Sequence, residues 1–157
     1  MKICLHAIGN RMPRWVDEAY QAYAKRLSGE CKLLLRESAP AKRTASTSLE
    51  RILQDEGTRL LDGVPKGAHI VALDVGGQAW STEQLAETMQ GWMRRGQDIS
   101  LLIGGPDGLS EDCLQRADQR WSLSPLTFPH PLVRVILAEQ LYRAFTIIKN
   151  HPYHRAG

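Results

Sequence analysis

A glycine-rich segment in the second half of the chain has the composition of a ligand-binding loop. The apolar run ISLLI leads into GGPDG, residues 104–108, and then into Ser110, Glu111 and Asp112, which are typical of a helix start. Glycines let the backbone approach a ligand closely, and a helix N-terminus offers free N–H groups. The alternative is a tight turn in which the glycines only supply positive φ. Neither GxxxxGK(S/T) nor GxGxxG occurs, so the signatures of a P-loop and of a dinucleotide-binding fold are missing.

Three residues near the C-terminus are candidates for proton transfer and for anion binding. His130 lies between two prolines, and Tyr153 and Arg155 belong to the final stretch NHPYHR. Histidine exchanges protons near neutral pH, and arginine binds phosphate or an anionic base. Each also has a purely structural interpretation, with His130 as a helix cap and the tail as a solvated terminus. The H-x-x-H spacing in the tail has no neighbouring Cys or acidic residue, so no metal ligand is predicted.

The elements that would position these residues are typical of an α/β domain with a mostly parallel sheet. Short apolar runs alternate with amphipathic stretches along the whole chain. The predicted strands are Lys2–Ile8, Cys31–Arg36, His69–Asp74, Ile99–Ile103 and a short piece near Trp121–Leu123. Helices are predicted from Pro13 to just before Gly29, after a capping box of Thr47 and Glu50, from Ser81 with Gln84 as far as Gly96, and from Ser110.

The segment Leu132–Ile148 is apolar on nearly every side when it is read as a helix. Only Glu139, Arg143 and Thr146 form a clear polar stripe. A helix of this kind must be buried on more than one side, and a second copy of the chain is the simplest second covering surface. The segment therefore predicts a homodimer, with a helix buried inside a single chain as the alternative.

Composition and charge limit the class of protein. A chain of 157 residues with 43% hydrophobic residues is expected to form one domain, residues 1–157. The N-terminal apolar run is too short for a membrane span or a signal peptide, and the three cysteines lack CxxC spacing, so we expect a reduced cytoplasmic protein without membrane association. Residues 1–43 contain nine Lys and Arg against four Asp and Glu, and residues 125–157 contain four against one. These basic ends are either solvated faces or an RNA-facing surface that includes the loop APAKRTASTS.

Several segments resemble the ribosomal large-subunit methyltransferase H family. They are LLIGGPDGLS, LTFPHPLVRVILAEQLYRA and NHPYHR and, more loosely, AIGNRMPRWVDEAYQAYAKR and VALDVGGQAW. The resemblance implies a single-domain SPOUT fold with helices on both faces of the sheet and a C-terminal trefoil knot, which periodicity alone does not predict. It also implies a homodimer, S-adenosylmethionine as methyl donor, and N3 of a pseudouridine in the 23S rRNA of the assembled ribosome as target.

The resemblance also assigns candidate site residues by motif. The cofactor site falls on Leu73, Gly105, Ser124, Pro125, Leu126, Thr127, Phe128 and Pro129. Because the N3–H of pseudouridine is a weakly acidic imide, a base is required, and we expect His130 to accept or orient this proton. Tyr153 and Arg155 are the expected substrate anchors. An RNA-binding module without enzymatic activity would explain the basic ends but not the two loops. A hydrolase acting on a phosphate ester is a third possibility, but the sequence contains neither a GxSxG elbow nor a compact acidic cluster.

Overall fold

The architecture is a parallel sheet covered on both faces by helices. A computed structural model describes residues 1–156. The sheet has five strands in the order β2-β1-β4-β3-β5, and every neighbouring pair is parallel. The strands are β1 (Lys2–Ile8), β2 (Lys32–Ser38), β3 (His69–Ala79), β4 (Ile99–Ile103) and β5 (Gln119–Ser122). The helices are α1 (Arg14–Ala24), α2 (Leu49–Asp62), α3 (Thr82–Arg95), α4 (Glu111–Arg116) and α5 (His130–Ile148), followed by a 3-10 turn at Pro152–Ala156.

Two apolar clusters hold the helices against the sheet. The larger one joins alternate residues of the central strands, such as Leu5 and Leu101, to α1, α3 and α5. The smaller one joins residues of opposite orientation, such as Ile8 and Leu102, to α2 and α4. Strand β4 is buried along its whole length, as expected for the central strand of a parallel sheet with helices on both faces. The predicted fold class is thus confirmed, while the trefoil knot stays a prediction.

The predicted boundaries were wrong at several element ends. Helix α1 stops at Ala24, short of the predicted end before Gly29, and Leu27, which the predicted helix included, is buried beyond the end of the helix. The cap of α2 is Ser48, whose hydroxyl accepts the Arg51 N–H at 3.2 Å. The Thr47 hydroxyl instead lies 2.6 Å from that of Thr44, so the predicted capping box does not form. The capping box at the start of α3 is confirmed, and α5 begins two residues earlier than predicted.

Strand β3 runs beyond its predicted end at Asp74 because it contains an irregularity. Its register against β5 shifts between Leu73 and Gln78. A Cβ on Gly77 would lie 2.7 Å from a backbone carbon of Arg120, so only glycine lets the two strands approach this closely. The bulge ends the regular pairing next to the loops that carry the candidate site. Within residues 1–156, none of the helices combines the length and the apolar character needed to cross a bilayer.

Candidate active site

A cavity of about 400 Å³ opens at the carboxyl end of β4, beside the irregular middle of β3. This edge of a parallel sheet is where ligands bind in open α/β folds, and the volume falls in the range of small-molecule sites. Its wall comes from three segments, which are residues 73–75 of β3, the glycine loop after β4, and the stretch from the end of β5 to the first turn of α5. The lining residues predicted from the sequence are Leu73, Gly105, Ser124, Leu126, Thr127, Phe128 and His130. Pro125 and Pro129 belong to the same loop but do not line the cavity.

The glycine loop is both a tight turn and a wall of the cavity. The Gly108 N–H donates to the Gly105 carbonyl at 3.0 Å, and Gly108 has the positive φ of 87°. A Cβ on Gly104 would lie 2.3 Å from the Gly108 carbonyl oxygen, so no side chain fits there. The tight turn is confirmed, with a positive φ at Gly108 alone among the three glycines, while ligand binding by the loop stays a prediction.

The start of α4 does not face this cavity, contrary to the expectation from the sequence. Ser110, Glu111 and Asp112 line a different groove, between α2 and α4. The Ser110 hydroxyl already accepts the Cys113 N–H at 3.2 Å. Helix α4 has only six residues, and Ser110, the residue before it, already caps it, so few of its N–H groups are left for a ligand in the glycine loop. The free N–H groups expected here are therefore not part of the site.

The loop before α5 is shaped by its own serines and leaves an apolar mouth. The Ser124 hydroxyl accepts the Leu126 N–H at 3.0 Å, and the Ser122 hydroxyl donates to the Ser124 carbonyl at 3.3 Å. Leu126 is 68% exposed, and Val75, which also lines the cavity, is 65% exposed. Large apolar side chains this exposed beside a cavity indicate a ligand with an apolar face.

His130 is the first residue of α5 and its ring lies at the cavity wall. Its Nε2 is 3.3 Å from where a Cβ on Gly9 would be, so the end of β1 packs directly against the ring. Burial, followed by the positive charge of Arg134, holds the pKa of His130 below its usual value, while the charge of Glu56 acts in the opposite direction. The ring is therefore neutral at physiological pH and can accept a proton. Pro129 occupies the cap position of α5, so the alternative of His130 as a helix cap is wrong.

A buried arginine one turn after His130 was not identified from the sequence. Arg134 is 1% exposed, and its guanidinium donates to Glu37 Oε2 at 2.6 Å and to the Gly9 carbonyl at 3.3 Å. The two bonds join α5 to the carboxyl ends of β1 and β2. The sequence does contain one signal of its role, because Arg134 interrupts an apolar run and lies four residues after His130, on the same face of a helix.

The structure does not bring the tail residues to this cavity within one chain. The Tyr153 ring packs on Tyr142 with centroids 4.7 Å apart, and the Arg143 guanidinium carbon lies 5.0 Å from the Tyr153 ring centroid. Arg155 is exposed. Tyr142 lies twelve residues after His130 on α5, which is about 18 Å along the helix axis. The Tyr153 ring, packed on Tyr142, is therefore too far from His130 for both to hold the same base in a single copy.

Comparison with known proteins identifies the family. Residues 1–154 match the family described as "Predicted SPOUT methyltransferase". The chain belongs to this family. It is also 61% identical over 155 residues to the ribosomal RNA large subunit methyltransferase H of Methylococcus capsulatus, covering 99% of this chain and 100% of the relative. Proteins of the same name from Thioalkalivibrio sulfidiphilus and Nitrosococcus oceani are 54% and 55% identical, each over at least 99% of both chains.

Solved structures agree with the SPOUT fold. Two of them are described as methylase family proteins, from Haemophilus influenzae Rd KW20 and from Neisseria gonorrhoeae. The first has a TM-score of 0.61 and covers 96% of this chain and 69% of its own, and the second has a TM-score of 0.53 with 89% and 81% covered. At 13% identity these likenesses support the fold alone. The resemblance stated from the sequence motifs is confirmed, and the protein is a SPOUT methyltransferase.

Proposed function

We propose that this methyltransferase uses S-adenosylmethionine to methylate N3 of a pseudouridine in 23S rRNA of the assembled ribosome, as a cytoplasmic homodimer. The observation that carries the proposal is the 54–61% identity, over essentially full length, to three enzymes named for the large-subunit ribosomal RNA. The cavity supports it independently, because its wall combines an apolar mouth with a neutral histidine.

The cavity residues fit an adenosine-containing methyl donor. Leu73, Leu126 and Val75 offer apolar surface to an adenine ring, and the glycine loop allows ribose or adenine to approach the backbone. Thr127 and Phe128 complete the same wall. When bound, S-adenosylmethionine supplies a methyl group that its sulfonium has already activated, so the chemistry requires no metal. Pro125 and Pro129 contribute by setting the path of the loop.

His130 is the proposed acceptor of the substrate proton. The N3–H proton of pseudouridine moves to the imidazole, and the N3 electron pair that remains takes the methyl group as the bond from carbon to sulfur breaks. A ring whose pKa lies below its usual value is neutral before the reaction and ready to take this proton. The Arg134 bond to the Gly9 carbonyl keeps the first turn of α5 in place, which holds the ring against the cavity.

A homodimer could bring the tail of one copy close to His130 of the other. If two α5 helices lie antiparallel across a twofold axis, the tail of each copy comes to the cavity of the other. Tyr153 and Arg155 would then anchor RNA at a site whose cofactor belongs to the partner. The positive charge of Arg155 suits a phosphate, and the Tyr153 ring suits stacking on a base.

The outer side of α5 has the composition of such an interface. Leu132, Ile136 and Ile147 lie on one stripe and are only half-buried, and the Glu139–Arg143 ion pair, at 2.9 Å, lies on the same stripe. The opposite side is fully buried against α1, α3 and the sheet. Thr146, predicted to be part of the polar stripe, is 3% exposed and donates to the Arg143 carbonyl instead. The helix thus has one covered side and one open side, on which apolar residues flank the Glu139–Arg143 ion pair and could meet a second copy.

The decisive experiment is transfer of labelled methyl from S-adenosylmethionine to ribosomes from a strain that lacks the enzyme, followed by mass mapping of the nucleoside. Methyl on N3 of a pseudouridine is expected. His130→Gln should lower the rate of transfer more than ribosome binding, and Arg155→Ala should weaken ribosome binding while cofactor affinity stays unchanged. Methyl on a ribose oxygen or on an unmodified uridine would overturn the proposed target. Tight ribosome binding without transfer would favour a binding module.

A further inference from the structure

Asp74 is an acidic residue on the wall of the cavity that the chemistry described above does not use. It lies in the irregular part of β3, where Leu73 and Gln78 both pair with Trp121 of β5 and the residues between them leave the regular ladder. Asp74 and Val75, the first two residues of this bulge, line the cavity. Bulges beside a binding site typically redirect side chains. The irregularity of β3 therefore places one carboxylate and one apolar side chain at the site.

The carboxylate of Asp74 has no cation of the chain to offset its charge. It is only partly buried, and across residues 1–156 it forms no ion pair. Its Oδ2 lies 3.2 Å from the place that a Cβ on Gly76 would take, so the glycine leaves room for the carboxylate beside its own bulge. Asp74 is thus a charged group without a partner at the edge of a concave site.

The formal charges on the cavity wall are all negative. Asp107, in the glycine loop, is the other acidic residue that lines the cavity, and Arg43 pairs with it at 2.5 Å. Among the described residues, no lysine or arginine lines the cavity, and the His130 ring is neutral at physiological pH. The charge of Asp74 is therefore the one that the wall leaves uncompensated, in a chain whose net charge is +3.

An uncompensated carboxylate in a cavity favours a cationic ligand and disfavours RNA phosphate. An organic cation fits better than a metal ion, because residues 1–156 contain no group of three or more His, Cys, Asp or Glu side chains that could hold a metal. Val75 and Leu126 offer apolar contact on the same wall. The proposed methyl donor has both properties, since its sulfonium and ammonium outweigh its single carboxylate. Its demethylated product, S-adenosylhomocysteine, lacks the sulfonium charge and is neutral overall.

We infer that Asp74 is a specificity-determining residue that makes the cavity bind cationic S-adenosylmethionine in preference to neutral S-adenosylhomocysteine. The inference rests on the proposed function, which supplies the cofactor. Transfer of the methyl group to the substrate removes the positive charge from the sulfur, and the attraction to Asp74 is lost with it. The product is then held less tightly than the methyl donor, so a new donor molecule displaces it more easily.

The test removes the charge of Asp74 and compares the two ligands. Asp74→Asn keeps the size of the side chain, and calorimetric titration of the whole protein gives the Kd of each ligand. We expect the Kd of S-adenosylmethionine to rise about five-fold relative to that of S-adenosylhomocysteine, as fits one charge several ångströms away in a partly hydrated site. Asp55→Asn is the matched control, because it makes the same change in net charge at an exposed position outside the cavity. It should leave the ratio unchanged, and Asp74→Glu, which keeps the charge, should retain most of the preference.

The salt dependence of the wild type is a second measurement that needs no variant. Screening weakens a local attraction, so the Kd of S-adenosylmethionine should rise relative to that of S-adenosylhomocysteine between about 0.01 M and about 1 M salt. The net charge of +3 would have the opposite effect, because it repels a cation and salt would relieve that repulsion. The sign of the salt effect therefore separates the carboxylate from the charge of the whole chain, and it decides the matter if Asp74→Asn does not fold.

An unchanged ratio of the two Kd values in a folded Asp74→Asn protein would overturn the inference. An equal rise for both ligands would also overturn it, because Asp74 would then contact a group that the two ligands share. The same shift in Asp55→Asn would attribute the effect to net charge alone. A wild type that binds neither ligand would refute the proposed cofactor as well, whereas a wild type that methylates ribosomes but binds both ligands equally would refute only the role of Asp74.

Discussion

Leu126→Ala offers a direct test of where the cofactor binds. Leu126 is 68% exposed at the mouth of the cavity, so shortening it costs the folded protein little. The change removes about three methyl or methylene groups, each contributing about 0.8 kcal/mol when buried. If the cofactor covers only the fraction of the side chain that is now exposed, the loss is about 1.6 kcal/mol. That corresponds to an increase of about fifteen-fold in the cofactor Kd.

Calorimetric titration with S-adenosylhomocysteine measures this change without the ribosome. Leu49→Ala is the matched control, because Leu49 is 53% exposed but lies at the start of α2, outside this cavity. We expect its Kd to equal that of the wild type and both variants to keep the wild-type melting temperature. A Leu126→Ala protein with unchanged affinity would show that the ligand does not cover this side chain. An equal loss in both variants would show that the reasoning from exposed area is wrong.

Three further predictions concern the turn, the buried histidine and the interface. Gly104→Ala should raise the cofactor Kd by at least about ten-fold, measured by the same titration, because its Cβ would lie 2.3 Å from the Gly108 carbonyl oxygen and the turn must shift. Burial, followed by the charge of Arg36, lowers the pKa of His6 to about 4. Because the unfolded chain binds that proton near pH 6.5, the free energy of unfolding should fall by about 3 kcal/mol as the pH drops from 6.5 to 4. Urea titrations of the wild type and His6→Gln should show this loss in the wild type alone. The proposed function predicts that the wild type sediments as a dimer at micromolar concentration, and Ile136→Glu should sediment mainly as a monomer at the same concentration. An Ile136→Glu protein that stays dimeric would exclude α5 as the interface.

Much of the fold could be predicted because strands and helix starts leave local signals. The bounds of β1 and β4 were predicted correctly, since each is a short apolar run that ends at a glycine or polar residue. The extension of β3 to Ala79 could not be predicted, because it depends on the close approach of Gly77 to the backbone of β5. The end of α1 was also missed, because Leu27 continues the apolar periodicity after the helix has stopped.

Part of the candidate site could be predicted from the sequence and part could not. Its wall could be assigned by motif because the glycine loop and the loop before α5 are contiguous segments. The charged groups behind it could not, because Glu37, Glu56 and Arg134 come from three separate elements and have no shared spacing. An acidic residue on an amphipathic helix is normally assigned to the solvated face, and Glu56 is an exception that only tertiary packing reveals.

The ion pair between buried Arg134 and exposed Glu37 is better explained by the site than by stability. The guanidinium loses its hydration when it is buried, and its bonds to Glu37 and to the Gly9 carbonyl have to offset that cost, so the net gain over an apolar residue of similar volume is small. Here the pair, together with the bond to the Gly9 carbonyl, joins the start of α5 to the carboxyl ends of β1 and β2. It fixes the rotation of α5 about its axis, and His130 lies one turn before Arg134 on the same side of the helix. An apolar residue in place of Arg134 could be buried equally well, but the rotation of α5 would then depend on packing alone. The bonds of the charged side chain therefore specify the direction in which the proposed base faces.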